Sequence, residues 1–344
     1  LSLVIANGSQ LQSNDNYSKR KLIPDARLAE SNASAYLNFK PGKWSFELSS
    51  GAGFKWIETL LTPTVNSEEK EIDPFSSTRS FVNGMAGISR QFGSRLVIKT
   101  NVATGVRVPN LAELSSNGLH EGFYTYELGN PELKNERNLN TSLELIWQSR
   151  YFGFAGSAYS NRFENFVFLE PGYGEWFGFP VYRYVQRNAL IYGAEMKLDF
   201  FPLGKRSLSV SCTASGLEAR LDGGNYLPWM PARKLKPEIK LSPQKEKWKN
   251  SFIYLNSDYV FAQNLVFPGE TVSPSYFLLN AGCGNDFQTG NLTIQINLIA
   301  TNLLNQGYAD HLSRIRNFGQ LNMGRNIILQ IKINHNSKNN KNEK

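Results

Sequence analysis

His120 is followed at once by Glu121, and Asp310 by His311, so imidazole and carboxylate adjoin twice in a chain with three histidines. Such donors suit zinc, copper and iron. Tyr126, Glu127, Glu132 and Glu136 lie downstream of the first pair in the same polar stretch. One reading makes His120 and His311 metal contacts, with Glu121, Tyr126, Glu127 and Asp310 as further ligand-binding residues. The other makes the acids solvated loop residues and has His120 pack or cap a turn, since no HxxxH or HExxH spacing defines a ligand set. Two aromatic groups, Tyr124 with Tyr126 and the run from Tyr173 and Trp176 to Tyr182 and Tyr184, offer faces for stacking on an aromatic chelate or haem. Large loops also need small apolar cores of their own. Arg107, Arg183, Arg187, Arg314, Arg316 and Arg325 suit an anionic ligand or lipopolysaccharide, or equally strand-end salt bridges. Catalysis finds no support. GxSxG, P-loop and GxGxxG motifs are absent, Ser115-Ser116 beside His120 and Glu121 is contiguity rather than a triad, and no catalytic cofactor is expected.

The elements that must carry these residues read as β-strands. Leu208, Val210, Cys212 and Ala214 interleave with serines and a threonine, and Met196, Leu198 and Phe200 interleave with Glu195, Lys197 and Asp199. Leu292 to Ala300 and Ile327 to Ile333 alternate in the same way. Short turn signals such as Pro41-Gly42-Lys43, Phe92-Gly93-Ser94 and Gln288-Thr289-Gly290 take turns with long connections near 58–78, 106–137, 164–180, 220–232, 262–275 and 302–323. Counting between them gives about fourteen strands. Alternation alone also fits a soluble β-sandwich. Short turns on one side and long loops on the other fit an up-and-down membrane barrel, as do aromatics such as Trp44, Trp56, Phe152, Phe200 and Phe287 at strand ends. Glu195, Lys197 and Asp199 share a face that must then meet a wet or protein-filled lumen, while Cys212 and Cys283 fall in phase with the lipid-facing residues.

Composition agrees. Of 344 residues 41% are hydrophobic and 19% charged, with a mean hydropathy of -0.37. No run of eighteen apolar residues exists, which excludes a membrane helix but not membrane strands. The two cysteines exclude a disulfide framework. The net charge of +8 comes without a basic helix or an aromatic-basic RNA signature, so anionic lipid is a better partner than nucleic acid.

Residues 105–136 form the most distinctive stretch, a connection of about thirty residues that is too rich in Leu, Phe and Tyr for disorder. Arg107, Pro109, Asn110, Glu113 and Leu114 match an R-x-P-x-x-x-E-L pattern, and Glu127, Gly129, Asn130, Leu133 and Glu136 match E-x-G-N-x-x-L-x-x-E. Tyr184, Gln186, Ala189, Gly193 and Glu195 match Y-x-Q-x-x-A-x-x-x-G-x-E. Asn302, Leu303, Asn305 and Tyr308 match N-L-x-N-x-x-Y, with His311, Leu312, Ser313, Gly324 and Arg325 following. With these five pieces in order, the chain resembles the C-terminal β-barrel portion of TonB-dependent outer-membrane receptors. A histidine shortly before E-x-G-N makes it most similar to the zinc-uptake branch, while related receptors take ferric siderophores, haem or copper.

The resemblance implies an all-β, antiparallel up-and-down transmembrane barrel of a Gram-negative outer membrane, with about 14 of the family's 22 strands present in this chain. It implies energised uptake of a scarce metal or chelate, zinc or iron, by a monomeric barrel. The implied partners are outer-membrane lipid and lipopolysaccharide, the metal or siderophore ligand, and the TonB-ExbB-ExbD complex acting through a plug. No plug and no TonB-contact segment is visible, so a fragment is expected, with the plug and first strands upstream of Leu1. Residues 1–334 are assigned to the barrel and 335–344 to a polar Asn/Lys-rich disordered tail. A passive porin, an adhesion barrel and a soluble β-sandwich binding module are the rival readings.

Overall fold

A computed structural model describes residues 1–17, 21–62, 73–204, 207–243 and 250–335. The centre of the connection expected near 58–78 and residues 336–344 of the expected tail lie outside the described residues. Strands run in sequence as β1 (Ser2–Asn14), β2 (Ala26–Phe39), β3 (Trp44–Thr59), β4 (Ser76–Phe92) and β5 (Leu96–Arg107). A short helix α1 (Leu111–Ser115) and two small strands, β6 (Asn117–His120) and β7 (Thr125–Leu128), follow. The wall resumes with β8 (Glu136–Gln148), β9 (Phe152–Trp176), β10 (Phe179–Phe200), β11 (Leu208–Leu221), β12 (Lys234–Leu241), β13 (Phe252–Val260), β14 (Tyr276–Thr289), β15 (Leu292–Thr301) and β16 (Asn326–His335).

Setting β6 and β7 aside, each of the fourteen wall strands pairs with its sequence neighbour in the wall, and the sheet is open with β1 and β16 outermost. Every wall ladder is antiparallel. Tight turns fit this meander because residues such as Gly93 and Gly290 take positive φ, 60° and 57°, at no steric cost.

Residues directly opposite in a ladder share a face, so the registers trace each face around the wall. Trp147 faces Phe154, Phe154 faces Leu198, and Leu198 faces Cys212. Farther along, Ile253 faces Cys283, Cys283 faces Leu298, and Leu298 faces Leu329. Both cysteines thus lie on the apolar outer face. Glu195 sits on the other face opposite Ser157 and Ser215, and Lys197 opposite Thr213. Val82, Leu198 and Ile331 are 67%, 51% and 57% exposed on the outer face, a distribution that water does not tolerate over so wide an area and lipid does.

Aromatic rings bound this face at both heights. Phe39, Trp44 and Phe46 stack near one short turn, and Phe152 stacks on Phe200 near another. Phe54, Trp56, Tyr192, Tyr259 and Phe261 lie toward the long-connection end. Phe46 and Trp56 stand ten positions apart on β3. That is about 33 Å of strand, or about 25 Å of height at a 35–45° tilt, which matches an apolar membrane band.

One expected loop proves to be wall. Around 164–180, β9 and β10 continue as a hairpin to a turn at Phe177 and Gly178, whose φ values are 47° and 82°. Aromatic and β-branched residues pair across it and outweigh the loop signal of Pro171, Gly172 and Gly174. Among the described residues no buried apolar cluster fills the wall between its strands. Buried apolar clusters sit at the long-connection end, one around Ala26, Ile57, Leu114, Leu133 and Val167, the other around Phe168, Ala219, Leu221, Leu227 and Phe267.

Candidate ligand site at the mouth

The connection between β5 and β8 folds into a brace. Asn110 caps α1 by accepting from the Glu113 N–H, and the Glu113 carboxylate accepts from the Asn110 N–H in return. The same carboxylate takes two hydrogen bonds from Arg107 at 2.8 and 2.9 Å. Arg107 also donates to Glu136 at 3.0 Å, and Glu136 accepts the Val167 N–H. Pro109 and Leu114 are fully buried at its centre. Gly129 packs where a Cβ would lie 2.5 Å from the Ser115 nitrogen, and the Asn130 N–H donates to the Glu113 carbonyl. The two motifs of this stretch are therefore one interlocked unit, and Arg107 is spent on strand-end ion pairs.

The second half of the connection, β6 and β7, forms a hairpin whose β7 adds in parallel to Val181–Arg183 of β10. Glu127, 3% exposed, holds His120 by an Nδ1–Oε1 contact of 2.7 Å and accepts from the Tyr184 hydroxyl at 3.1 Å. An ionised carboxylate only accepts, so it takes a hydrogen bond from His120 Nδ1–H, and in the neutral imidazole this leaves the Nε2 lone pair for another partner. A carboxylate orienting an imidazole in this way is the usual support of a metal-binding histidine. Burial, then the Glu127 charge, raises the Tyr184 phenol well above its ordinary range. Tyr126 is buried, with its ring 4.7 Å from Trp176, so this aromatic group is largely a loop core; Glu121 is exposed.

The connection between β15 and β16 holds the other pair. Asn302, at φ 49°, grips the Gln306 N–H and carbonyl, Leu303 donates to Leu279, and Asn305 accepts from Arg325 beside Gly324. Tyr308 lies against Tyr276, whose hydroxyl donates to Asp310 at 2.7 Å. Asp310 is also 3.9 Å from Lys234. Burial opposes its charge, but Tyr276, the Leu312 N–H and Lys234 prevail and hold its carboxyl below the ordinary range. His311 is 2% exposed, with Nε2 3.0 Å from Glu270 and Nδ1 between Ser273 and Arg316 at 2.8 and 2.7 Å. Both of its ring nitrogens are engaged. Burial likewise opposes the Glu270 charge, and His311 with the Phe267 and Trp229 N–H groups brings its carboxyl below the ordinary range.

The histidine pairs approach each other without merging. Arg314 lies 4.0 Å above the Phe123 ring, Phe123 packs edge-on to His120, and Tyr124 meets Phe318 of the short 3-10 helix. No group of three or more potential ligands converges among the described residues. Near His311 opens a cavity of about 390 Å³, lined by Pro171, Tyr182, Trp229, Phe267, Glu270 and Arg316. Trp229 is held at φ 59° while its N–H donates to Glu270, an uncommon backbone state for a bulky residue. Sequence reasoning missed Glu270 and Trp229. Their only signals were a Trp between prolines 228 and 231 and an acid after Pro268-Gly269.

A family model described as TonB dependent receptor-like, beta-barrel matches residues 7–303. The iron-regulated outer membrane virulence protein of Vibrio cholerae serotype O1 is 28% identical over 199 residues, 54% of this chain and 30% of that protein. Among solved structures, the copper transporter OprC superposes with a TM-score of 0.75 at 13% identity, covering 89% of this chain and 48% of that one. The FrpB iron transporter of Neisseria meningitidis gives 0.62 at 14% identity, covering 90% and 46%. The Serratia marcescens hemophore receptor HasR, solved with its hemophore HasA and haem, gives 0.64 at 11%, covering 94% and 57%. The likenesses to solved structures show the fold, and the chain spans between about a third and three fifths of these proteins.

Proposed function

This chain belongs to the TonB-dependent receptor β-barrel family, and from that premise we propose that it forms wall and mouth of an outer-membrane receptor importing a scarce metal or its chelate. In this reading residues 1–334 are barrel, and the role is transport rather than catalysis. Cargo is captured at the mouth, and the energy comes from the TonB-ExbB-ExbD complex acting on a plug domain of the whole protein. The observation that carries the cargo reading is His120, oriented by buried Glu127 with Nε2 unused at the mouth of the wall.

Zinc or another divalent metal is the cargo this donor favours. His120 is its first contact, with Glu121 beside it. His311 and Asp310 are secondary contacts, because His311 must first release Glu270 or Arg316. The aromatic cavity beside Trp229 is the alternative seat for a planar chelate or haem.

The test is growth of a strain lacking the full-length receptor, with zinc, ferric chelates or haem as the limiting nutrient. One of these should depend on the receptor. For zinc, a His120→Ala/His311→Ala receptor should bind the ion at least tenfold more weakly by calorimetry. Unchanged growth on every cargo would remove the transport reading, and unchanged zinc affinity would remove the two histidines.

A further inference from the structure

The positive charge of the chain sits at one end of the wall. The connections on the short-turn side hold nine of the 37 basic residues and one of the 29 acids. The remaining 28 of each sign cancel, so the excess of +8 belongs to these turns alone. Lys40 and Lys43 flank the β2–β3 turn, Arg95 closes the β4–β5 turn, and Arg150 lies in the β8–β9 turn. All four are exposed, and no acid stands among residues 40–43, 93–95 or 149–151. The sequence adds five basic residues against Glu246 alone in 201–207 and 242–251, at positions outside the described residues.

These cations look away from lipid. Phe39, Trp44 and Leu96 belong to the outer face, since Phe39 pairs with Phe46, Trp44 with Arg90, and Leu96 with Trp147. Lys40, Lys43 and Arg95 are their immediate neighbours, and neighbours in an extended chain point to opposite sides. Arg90, the outward cation beside this rim, is already held 4.6 Å over both the Trp44 and Phe92 rings. Arg150 lies over the Tyr151 ring at 5.3 Å and reaches the next turn, its Nε 2.7 Å from the point a Cβ on Gly204 would occupy. Backbone bonds fix the turns. The Trp44 N–H donates to Pro41, the Gln91 N–H to Lys43 and the Gln148 N–H to Arg95, at 3.1, 2.9 and 2.9 Å. Successive hairpins stand about 12 Å apart along the rim, from two strand spacings of about 4.8 Å and a tilt of about 40°. Cations from three of them therefore mark about 25 Å of edge. Between them Pro41-Gly42, Gly93-Ser94 and Ser149 offer no large apolar side chain to anchor a folded partner. Charge repeated along a fixed edge fits an extended polyanion.

We propose that Lys40, Lys43, Arg95 and Arg150 form a docking edge for an acidic polymer of the periplasm, the carboxylate-bearing glycopeptide of the cell wall. The contact rests on the outer-membrane placement above and is independent of cargo, since it ties the inner rim of the wall to the layer beneath it. Many weak exposed pairs act together. Binding is therefore strong in dilute salt and fades as the screening length falls from about 10 Å at about 0.1 M to about 3 Å at about 1 M.

The experiment is co-sedimentation of the full-length receptor, kept in mild detergent, with purified peptidoglycan sacculi. An exposed pair is worth roughly a twofold factor or more, so Lys40→Gln, Lys43→Gln, Arg95→Gln and Arg150→Gln together should weaken binding about fifteenfold or more. Lys197→Gln/Lys236→Gln on the lumen face should leave it unchanged, and sacculi with amidated carboxylates should not bind the unaltered receptor. Heat-modifiable mobility on gels reports whether each variant is folded. Undiminished binding by the folded quadruple variant overturns the edge, as does full binding to amidated sacculi or in about 1 M salt. In nanodiscs the four substitutions should leave the co-purifying phosphatidylglycerol unchanged; its loss, with sacculi held as before, would make the edge a lipid contact and overturn the proposal. Maleimide labelling of Lys43→Cys from outside intact cells would instead sink the membrane orientation on which the proposal rests.

Discussion

Replacing Arg107 by alanine tests whether the mouth is built on its ion pairs. The guanidinium makes contacts of 2.8, 2.9 and 3.0 Å to Glu113 and Glu136, whose side chains are 11% and 10% exposed. Breaking a buried pair from one side costs about 3–5 kcal/mol, because the remaining charge stays desolvated. Arg107 itself is 41% exposed, so solvent already screens part of the attraction. Discounting for that leaves about 2–3 kcal/mol, or about thirty- to 150-fold more frequent local opening.

Hydrogen exchange on the detergent-solubilised full-length receptor reads this directly. The reporters are the N–H groups of Ser116, Gly129 and Asn130, which donate to Ala112, Ser116 and Glu113. Wall amides around Leu198 and Cys212 should not change, since opening is local. Adding Glu113→Gln and Glu136→Gln to the alanine variant should recover part of the loss, because neutral amides do not strand a buried charge. Unchanged protection of the three reporters in Arg107→Ala would refute the brace.

Three further outcomes are expected. Gly129→Ala places a methyl 2.5 and 2.6 Å from the Ser115 and Ser116 nitrogens, so exchange across Asn117–Leu128 should accelerate at least tenfold while the barrel stays folded. In the membrane, a water-soluble maleimide should label Lys197→Cys in the lumen but neither Cys212 nor Cys283; the opposite pattern would invert the two faces. Glu270 and Asp310 are held below their ordinary values of 4.5 and 3.8, so they stabilise the mouth above those values and lose that contribution as pH falls through the lowered ones. Trp229 fluorescence should therefore hold between pH 7 and 5 and change below about pH 4, and Glu270→Gln should remove much of that transition.

The wall was legible because each strand declares its two faces locally. Leu208 to Ser215 alternates without exception, and the registers put its apolar set on the outer face as that alternation requires. Strand number survived for the same reason, with fourteen wall strands where about fourteen were counted. The hairpin of β9 and β10 did not announce its height, since the pairing that overrides Pro171 and Gly174 is a property of two strands together. Glu270 was invisible because its partner His311 lies 41 positions away. Burial of Tyr126 and His311 depends on the same long-range closure of loops over one another.

The residues that identify the family and those that choose a cargo answer to different demands. Arg107, Asn110, Glu113 and Glu136 spend their polar atoms on one another, and Asn302 and Asn305 spend theirs on the turn that launches the last connection. Arg107, Glu113 and Glu136 hold one another and Asn302 and Asn305 hold a turn, so these positions build the mouth. In the function proposed above, selection falls to groups the fold leaves unfilled: Nε2 of His120, the exposed Glu121, and the cavity face of Trp229. The wall itself superposes on the copper transporter OprC, the FrpB iron transporter and the hemophore receptor HasR at 11–14% identity, a likeness of fold. Five matching motifs therefore name a family, while the hairpin of His120 and the cavity beside Trp229, to which the proposed function gives the cargo, lie whole in none of them.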